Sequence, residues 1–290
     1  MADKPPAASG YSGGALEQVR GTCLYLATTL GDYREDIVVV GGLVPSLLIP
    51  SSTLRAGEDP HVGTMDLDVG LAVAVLGDRR YKGLAARLRQ VGFGPEVKEG
   101  GRLVRQRWRR LEPEGAAVTV DFLIPPSRAG DRGGRLRHIE RDFAAVVTPG
   151  LDLAFRDRVR VRLRGRTILG EKTQREIGVC GPAAFVVLKA LAFGNRGENK
   201  DTYDLYYVIR HYPSGPRDIA ERLRPHLRNH DVRNGLSILR RDFIRKDGPG
   251  PRRVAAFYGR DGDGALMADV AGFVGEFFEL CRRFDREREE

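Results

Sequence analysis

Thr64-Met65-Asp66-Leu67-Asp68-Val69-Gly70-Leu71 alternates polar and apolar side chains with a period of two. That is the pattern of a strand presenting Thr64, Asp66 and Asp68 on one face. Met65, Leu67 and Val69 mark the strand as buried on its other side, where a carboxylate needs a partner. Upstream, Ile37-Val38-Val39-Val40 runs straight into Gly41-Gly42, a short buried strand ending in a sharp turn. Leu43 to Ile49 suits a following helix with Pro45 in its first turn. Downstream, Arg102 to Leu111 and Ala116 to Ile124 read as a hairpin across Glu112-Pro113-Glu114-Gly115. Its second strand, Val118-Thr119-Val120-Asp121-Phe122, can place a third carboxylate beside the first two.

Three clustered carboxylates repel one another, and hard divalent cations among them relieve the repulsion. Mg²⁺ held by carboxylates and substrate phosphates is the usual arrangement for phosphoryl and nucleotidyl transfer. A Gly-Gly turn lets backbone N–H groups approach a phosphate at a helix N-terminus. The residues therefore point to a metal site at Asp66, Asp68 and Asp121, expected to hold two Mg²⁺ ions, with Gly41 and Gly42 admitting a nucleotide.

Around this centre the chain reads as an α+β protein, a mixed sheet with flanking helices followed by a helical half. Residues 1–14 are expected to be a disordered tail, 15–180 the sheet domain and 181–290 the helical domain. Ala15 to Leu30 and Tyr81 to Val91 have helical spacing, Ser127 to Arg135 is a Gly/Arg-rich loop, and more sheet is expected through Ile168. From Gly181-Pro182 onward helical periodicity dominates, over Ala183 to Phe193, Asn199 to Tyr212, Arg217 to Arg228, Val232 to Ile244 and Leu266 to Arg282. The charged terminus Arg286 to Glu290 is expected to fray.

Lys189 stands in an apolar run, flanked by Val186, Val187, Leu188, Ala190 and Leu191. A buried ammonium is costly unless it meets an anion. A triphosphate, Asp201 or Asp204 would supply one, and a helix margin with the head in water would avoid the need. Asp201 and Asp204 are i, i+3 neighbours on the next helix.

With 41% hydrophobic residues, the chain can bury a core, which excludes wholesale disorder and collagen-like architectures. No apolar run approaches the ~20 residues that span a bilayer, and the polar N-terminus lacks the form of an export signal, so no membrane role is expected. Cys23, Cys180 and Cys281 are odd in number and far apart. They offer neither a disulfide framework nor a zinc ribbon, and a reducing cytoplasm is the expected compartment.

The formal charge of +9 favours an anionic partner such as nucleic acid or nucleotide. Arg105, Arg107 and Arg109, and again Arg160, Arg162 and Arg164, would form cationic stripes on strands and are candidates for an RNA backbone. Trp108, among the first set, is either a base-stacking or a core residue. His226 and His230 lack a third ligand at suitable spacing and read as a surface pair. Asp261-Gly262-Asp263-Gly264 lacks the full calcium-loop pattern and reads as a turn.

The strand ending in Gly-Gly, the Asp-x-Asp strand and the later strand carboxylate together resemble the DNA polymerase β-like nucleotidyltransferase superfamily. More narrowly, the chain resembles the AbiEii/MenT group, toxins of type IV-like toxin–antitoxin systems. Val39-Val40-Gly41-Gly42 through Thr64-Met65-Asp66-Leu67-Asp68 is similar to that group's "GG…T-x-D-h-D". Leu188-Lys189-Ala190-Leu191-Ala192 with Asn199-Lys200-Asp201-Thr202-Tyr203-Asp204-Leu205-Tyr206 is similar to its "K-x-x-A…R-x-K-D-x-x-D-L-Y".

The resemblance implies a polymerase β-like nucleotidyltransferase domain that moves NMP from an NTP to RNA, at the 3′ end of tRNA, with a cognate antitoxin as partner. It implies catalytic roles for Asp66, Asp68, Asp121, Lys189 and Asp204. Nucleotide binding would fall to Gly41, Gly42, Ser46, Thr64, Lys189 and Asp201. Gly42 stands where a Ser is often found, so that hydroxyl would come from Thr64 or Ser46. Val62 replaces a common basic residue, which leaves His61 or Arg55 as substitutes. The rival readings are small-molecule nucleotidylation of the antibiotic-modifying kind and a silent RNA- or antitoxin-binding module of the same fold.

Overall fold

The structure, a computed structural model, describes residues 5–72, 78–110 and 118–287. The chain divides into two compact units, one of Gly13–Val44 and Gly63–Cys180, the other of Met1–Ser12, Pro45–Val62 and Gly181–Glu290. Cys180 and Gly181 fall in different units. Pro45–Val62, which lies inside the stretch expected as one sheet domain, groups with the helices.

The first unit contains α1 (Gly13–Thr29), β1 (Ile37–Val40) and a 3₁₀ turn, Gly41–Leu43, that leads into α2 (Val44–Leu48), where the chain leaves the unit. It resumes with β2 (Asp66–Leu71), α3 (Asp78–Gln90), β3 (Phe93–Val97), β4 (Leu103–Arg110) and β5 (Thr119–Ile124). Then follow β6 (Leu136–His138), β7 (Ala144–Val147), α4 (Leu151–Arg156), β8 (Arg158–Arg166) and β9 (Lys172–Cys180). Among the described residues the strands form a mixed sheet in the order β3-β4-β5-β2-β1-β9-β8, with β7 pairing β5 and β6. β2 runs parallel to β5 and antiparallel to β1.

Trp108, Phe122 and Phe143 form an aromatic cluster with edge-on geometry in this unit's core. The Trp108 ring is fully buried and its indole N–H donates to the Arg105 carbonyl, so Trp108 is a core residue. α1 buries Val19, Cys23, Leu24 and Leu26. Burial pushes the Cys23 thiol up to about 12, which makes it an inert apolar filler.

The sheet expected to run through Ile168 is interrupted by α4. Leu151 and Leu153 are spaced two apart and so satisfy a strand reading, but with Ala154 they bury one side of a single helical turn. The turn of the β4–β5 hairpin lies outside the described residues.

The second unit holds α5 (Pro182–Arg196), α6 (Asn199–His211), α7 (Gly215–Leu223), α8 (His230–Asp242), α9 (Pro249–Phe257) and α10 (Gly264–Arg286). Asn229 caps α8 by accepting from Asp231 and Val232 N–H groups. Asp263 caps α10 by accepting from Ala265 and Leu266 N–H groups. The Asp261–Gly264 segment is therefore a helix entry, in keeping with its reading as a turn. α7 ends at Leu223 because Pro225 turns the next residues into a 3₁₀ segment, Arg224–His226.

Part of the segment expected to be a disordered tail is described. Residues Ala8–Gly10 form a 3₁₀ turn, the Tyr11 ring lies 5.9 Å from Phe257, and the Lys200 ammonium sits over it. Among the described residues no helix is long and apolar enough to cross a membrane.

Candidate active site

Strand register assembles the carboxylates. Parallel pairing sets Asp68 directly opposite Asp121, while Asp66 lies two residues before Asp68 and opposite Thr119. Directly opposed residues of paired strands share a face, as do residues two apart. The outcome is that Asp66, Asp68 and Asp121 bring ligand oxygens within 4.8 Å of one another. Asp66 is buried and the other two half-buried. The donor set is all oxygen and compact, and it fits a hard divalent cation.

The Gly-Gly turn abuts this cluster. Gly41 has φ +71°, and a Cβ there would fall 1.9 Å from an Asp68 carboxylate oxygen. Only glycine supplies both that backbone and that clearance. A Cβ on Gly42 would lie 2.7 Å from the Thr64 hydroxyl, so Thr64 fills the space into which a serine at position 42 would project. Thr64 precedes β2 rather than belonging to it, is buried, and donates from its hydroxyl to Asp66 at 2.8 Å. Of the two expected hydroxyl sources, Thr64 thus lies at the turn, whereas Ser46 sits on α2 in the helical unit.

Arg107 belongs to this centre rather than to a solvent-facing stripe, which corrects its expected role as an RNA contact. Antiparallel register places it opposite Asp121. Its Nε and Nη2 donate to the two Asp121 oxygens at 2.7 and 2.5 Å, a bidentate fork. Arg107 is 8% exposed and is held more firmly protonated chiefly by the hydrogen bonds it donates to Asp121. It offsets part of the cluster's negative charge and fixes the plane of the third carboxylate. Arg105 donates to the Arg141 carbonyl, and Arg109 stands half-buried near the end of β4.

In the helical unit Lys189 meets carboxylates. Its ammonium lies 3.0 Å from Asp201 and 2.7 Å from Asp204. Burial opposes its charge, but Asp204 and Asp201 outweigh that and raise its pKa. Arg196 forks onto Asp201 at 2.7 and 2.8 Å, and Lys200 donates to Asp204. Burial alone would raise the carboxyl of Asp204, yet Lys189 and Lys200 hold it well below the ordinary range.

His61 shares Asp204 through a 2.8 Å hydrogen bond and is boxed by the rings of Tyr203 and Tyr207. Burial, seconded by the Lys200 charge, pulls its pKa from 6.5 down to about 4, so His61 is neutral at pH 7. Sequence reasoning placed Lys189, Asp201 and Asp204 but not the parts played by Arg107, Arg196, Lys200 and His61. The i, i+4 spacing of Lys200 and Asp204 was an available signal.

On β8 the arginines alternate as expected, with Arg160, Arg162 and Arg164 exposed. Arg160, however, is paired with Glu35 and Glu176, and this removes it from the expected stripe of free cations.

A mixed sheet that registers three acidic side chains beside a Gly-Gly turn, in a chain with a helical second half, defines a nucleotidyltransferase. The family described as "Nucleotidyl transferase AbiEii toxin, Type IV TA system" matches residues 30–265, and the chain belongs to it. No curated protein sequence matches significantly. Among solved structures, an antigenic nucleotidyltransferase-like protein from Paracoccidioides brasiliensis is similar at 16% identity and a TM-score of 0.41, over 79% of this chain and 88% of that one.

Arg107→Met should lower the melting temperature without divalent cation, because it strands Asp121 beside two other carboxylates. Saturating Mg²⁺ should then raise it by more than in the wild type. Equal melting curves for both proteins with and without Mg²⁺ would show the fork to be incidental.

Lys189→Met should cost about 3 kcal/mol in denaturant unfolding, as expected for breaking a buried pair. A loss under about 1 kcal/mol would mean that Lys200 and Arg196 suffice for the two carboxylates.

Because the folded pKa of His61 lies below its unfolded value, its contribution to stability is complete above pH 6.5 and declines as pH falls toward 4. Between pH 7.5 and pH 5 the wild type should lose on the order of 2 kcal/mol more than His61→Gln. Parallel stability–pH curves for the two proteins would refute this.

Proposed function

We propose that this nucleotidyltransferase moves NMP from an NTP to an RNA acceptor, the 3′ end of tRNA, and that it acts as the toxin of a type IV-like pair restrained by a cognate antitoxin. The observation that carries the reading is the shared sheet face of Asp66, Asp68 and Asp121. In the reaction the acceptor hydroxyl oxygen bonds to the α-phosphorus, the α–β phosphoanhydride bond breaks, and pyrophosphate leaves.

Asp66 and Asp68, joined by Asp121, are the residues to hold Mg²⁺, expected as two ions. When bound, the ions would offset charge on the triphosphate and lower the pKa of the attacking hydroxyl. Asp121, oriented by Arg107, accepts the hydroxyl proton in this reading, directly or through water. In this reading Gly41 and Gly42 would offer their backbone N–H groups to phosphate oxygens, with the Thr64 hydroxyl beside Gly42. By family resemblance Lys189 meets the charge of the triphosphate, Asp201 belongs to the nucleotide site and Asp204 to the catalytic set; of the three only Lys189 has the charge to meet a phosphate. The observed ion pairs favour that role by keeping the ammonium charged and fixed.

The basic balance of the chain and the exposed arginines of β8 support an anionic acceptor. An acceptor site for cationic aminoglycosides would call for acidic walls. The test is mass analysis of total tRNA after incubation with the protein, Mg²⁺ and each NTP in turn. One NTP should add one or more nucleotides to tRNA. Asp66→Asn and Asp68→Asn should each reduce the rate roughly a thousandfold, about 4 kcal/mol of barrier, with melting temperatures unchanged or raised as repulsion is relieved. Undiminished transfer by both variants would overturn the site, and an unchanged tRNA mass with every NTP would overturn the acceptor.

A further inference from the structure

The edge of the sheet carries an asymmetry of charge. β8 and β9 form a hairpin in which Arg162 opposes Glu176, Arg164 opposes Gln174, and Arg166 opposes Lys172. At the end near Arg158 the cations are matched: Arg158 and Arg160 both bind Glu35, and Arg160 also binds Glu176. Toward the tip the matching stops. Arg162, Arg164, Arg166 and Lys172 are exposed and make no ion pair among the described residues, the Glu176 carboxylate across from Arg162 being engaged by Arg160. Arg166 donates to the Gly170 carbonyl, which stiffens the turn without neutralising it.

Strand geometry converts this into a ruler. Residues two apart lie about 6.7 Å apart along one face, so Arg162, Arg164 and Arg166 form a straight row of cations, with Lys172 across from its last member. Arg164, Arg166, Lys172 and Gln174 also line an open groove at the tip. Arg guanidinium forks bind phosphate bidentately, and regularly spaced cations along a rigid element suit a polyanion better than a compact anion. β8 is the outermost strand of the order, so a long ligand meets no further strand beside it.

We infer that the tip of the β8–β9 hairpin is the docking rail for the sugar–phosphate backbone of the RNA acceptor, with Arg162, Arg164, Arg166 and Lys172 each taking a phosphate. This rests on the RNA-acceptor reading and deepens it by separating acceptor positioning from chemistry. The arginines nearer the strand start are structural counter-ions of Glu35 and Glu176.

The full chain carrying Arg162→Gln, Arg164→Gln, Arg166→Gln and Lys172→Gln together, compared with the wild type and with Arg160→Gln, tests the rail. Binding to total tRNA is titrated from 50 to 300 mM salt, alongside NTP binding and melting temperature. Removing four phosphate-binding cations should flatten the slope of log affinity against log salt by about 3 to 4. The KM for tRNA should rise at least tenfold, with NTP binding and melting held within error. Arg160→Gln should keep the wild-type slope.

A quadruple variant with wild-type slope and KM, while the wild type binds and modifies tRNA, would overturn the rail and leave the RNA reading standing. No tRNA binding by the wild type at any salt would instead overturn the RNA reading itself. Unchanged tRNA binding with loss of binding to polyglutamate would reassign the hairpin to an acidic polypeptide and also overturn the rail.

Discussion

The pairing of β2 with β5 is the constraint on which the site depends. Two parallel strands in this register force Asp68 and Asp121 onto one face, side by side, and like charges so placed oppose the pairing that creates them. The sheet meets this in two ways. On one flank of the row, Arg107 of β4 delivers a guanidinium to Asp121. On the other, Val40 of β1 stands opposite Asp68, and the chain then turns at Gly41, where the missing Cβ gives the Asp68 carboxylate its room. Four neighbouring strands each contribute one residue to a line across the sheet, and the chemistry is a property of that line.

Much of this was legible in the sequence because period-two alternation states directly which residues share a face. The strands of Asp66, Asp68 and Asp121, the Gly-Gly turn and the helix boundary at Gly181-Pro182 follow from local pattern. The part of Arg107 does not. A hairpin centred on the four-residue turn Glu112 to Gly115 would set Arg107 against Val120, whereas the observed register sets it against Asp121. A one-residue slip moves a side chain to the opposite face, and in an arginine-rich strand either face looks plausible as a solvated one. For the same reason Arg160 reads identically to Arg162 until Glu35, far away in sequence, is seen beside it. His61 and Asp204 are joined across 143 residues, a separation no local pattern spans.

The helical unit places its charges differently. Asp201 and Asp204 lie on successive turns of α6, both fully buried, and take cations from α5 and from their own helix. Apolar packing holds Tyr203, Tyr207 and Phe257 around them, so the ionic groups sit in an aromatic wall rather than in solvent. Such an arrangement adds little net stability over apolar residues of the same volume, but it tolerates few alternative packings, since every displaced member leaves a charge unpaired. His61 extends this to the Pro45–Val62 segment, which explains why a stretch distant in sequence groups with the helices.

The contact between Gly42 and Thr64 makes two positions, 22 residues apart in sequence, a single unit of exchange. A serine introduced at 42 alone meets the Thr64 side chain. A glycine introduced at 64 alone removes the hydroxyl that bonds Asp66. Made together, the two changes carry a hydroxyl from one wall of the turn to the other without the clash, at the loss of one methyl group. Sequences of this fold with serine after the first glycine should therefore carry a small residue two places before the Asp-x-Asp pair, and a chain built like this one reaches that form only through an intermediate that is either crowded or lacking its hydroxyl.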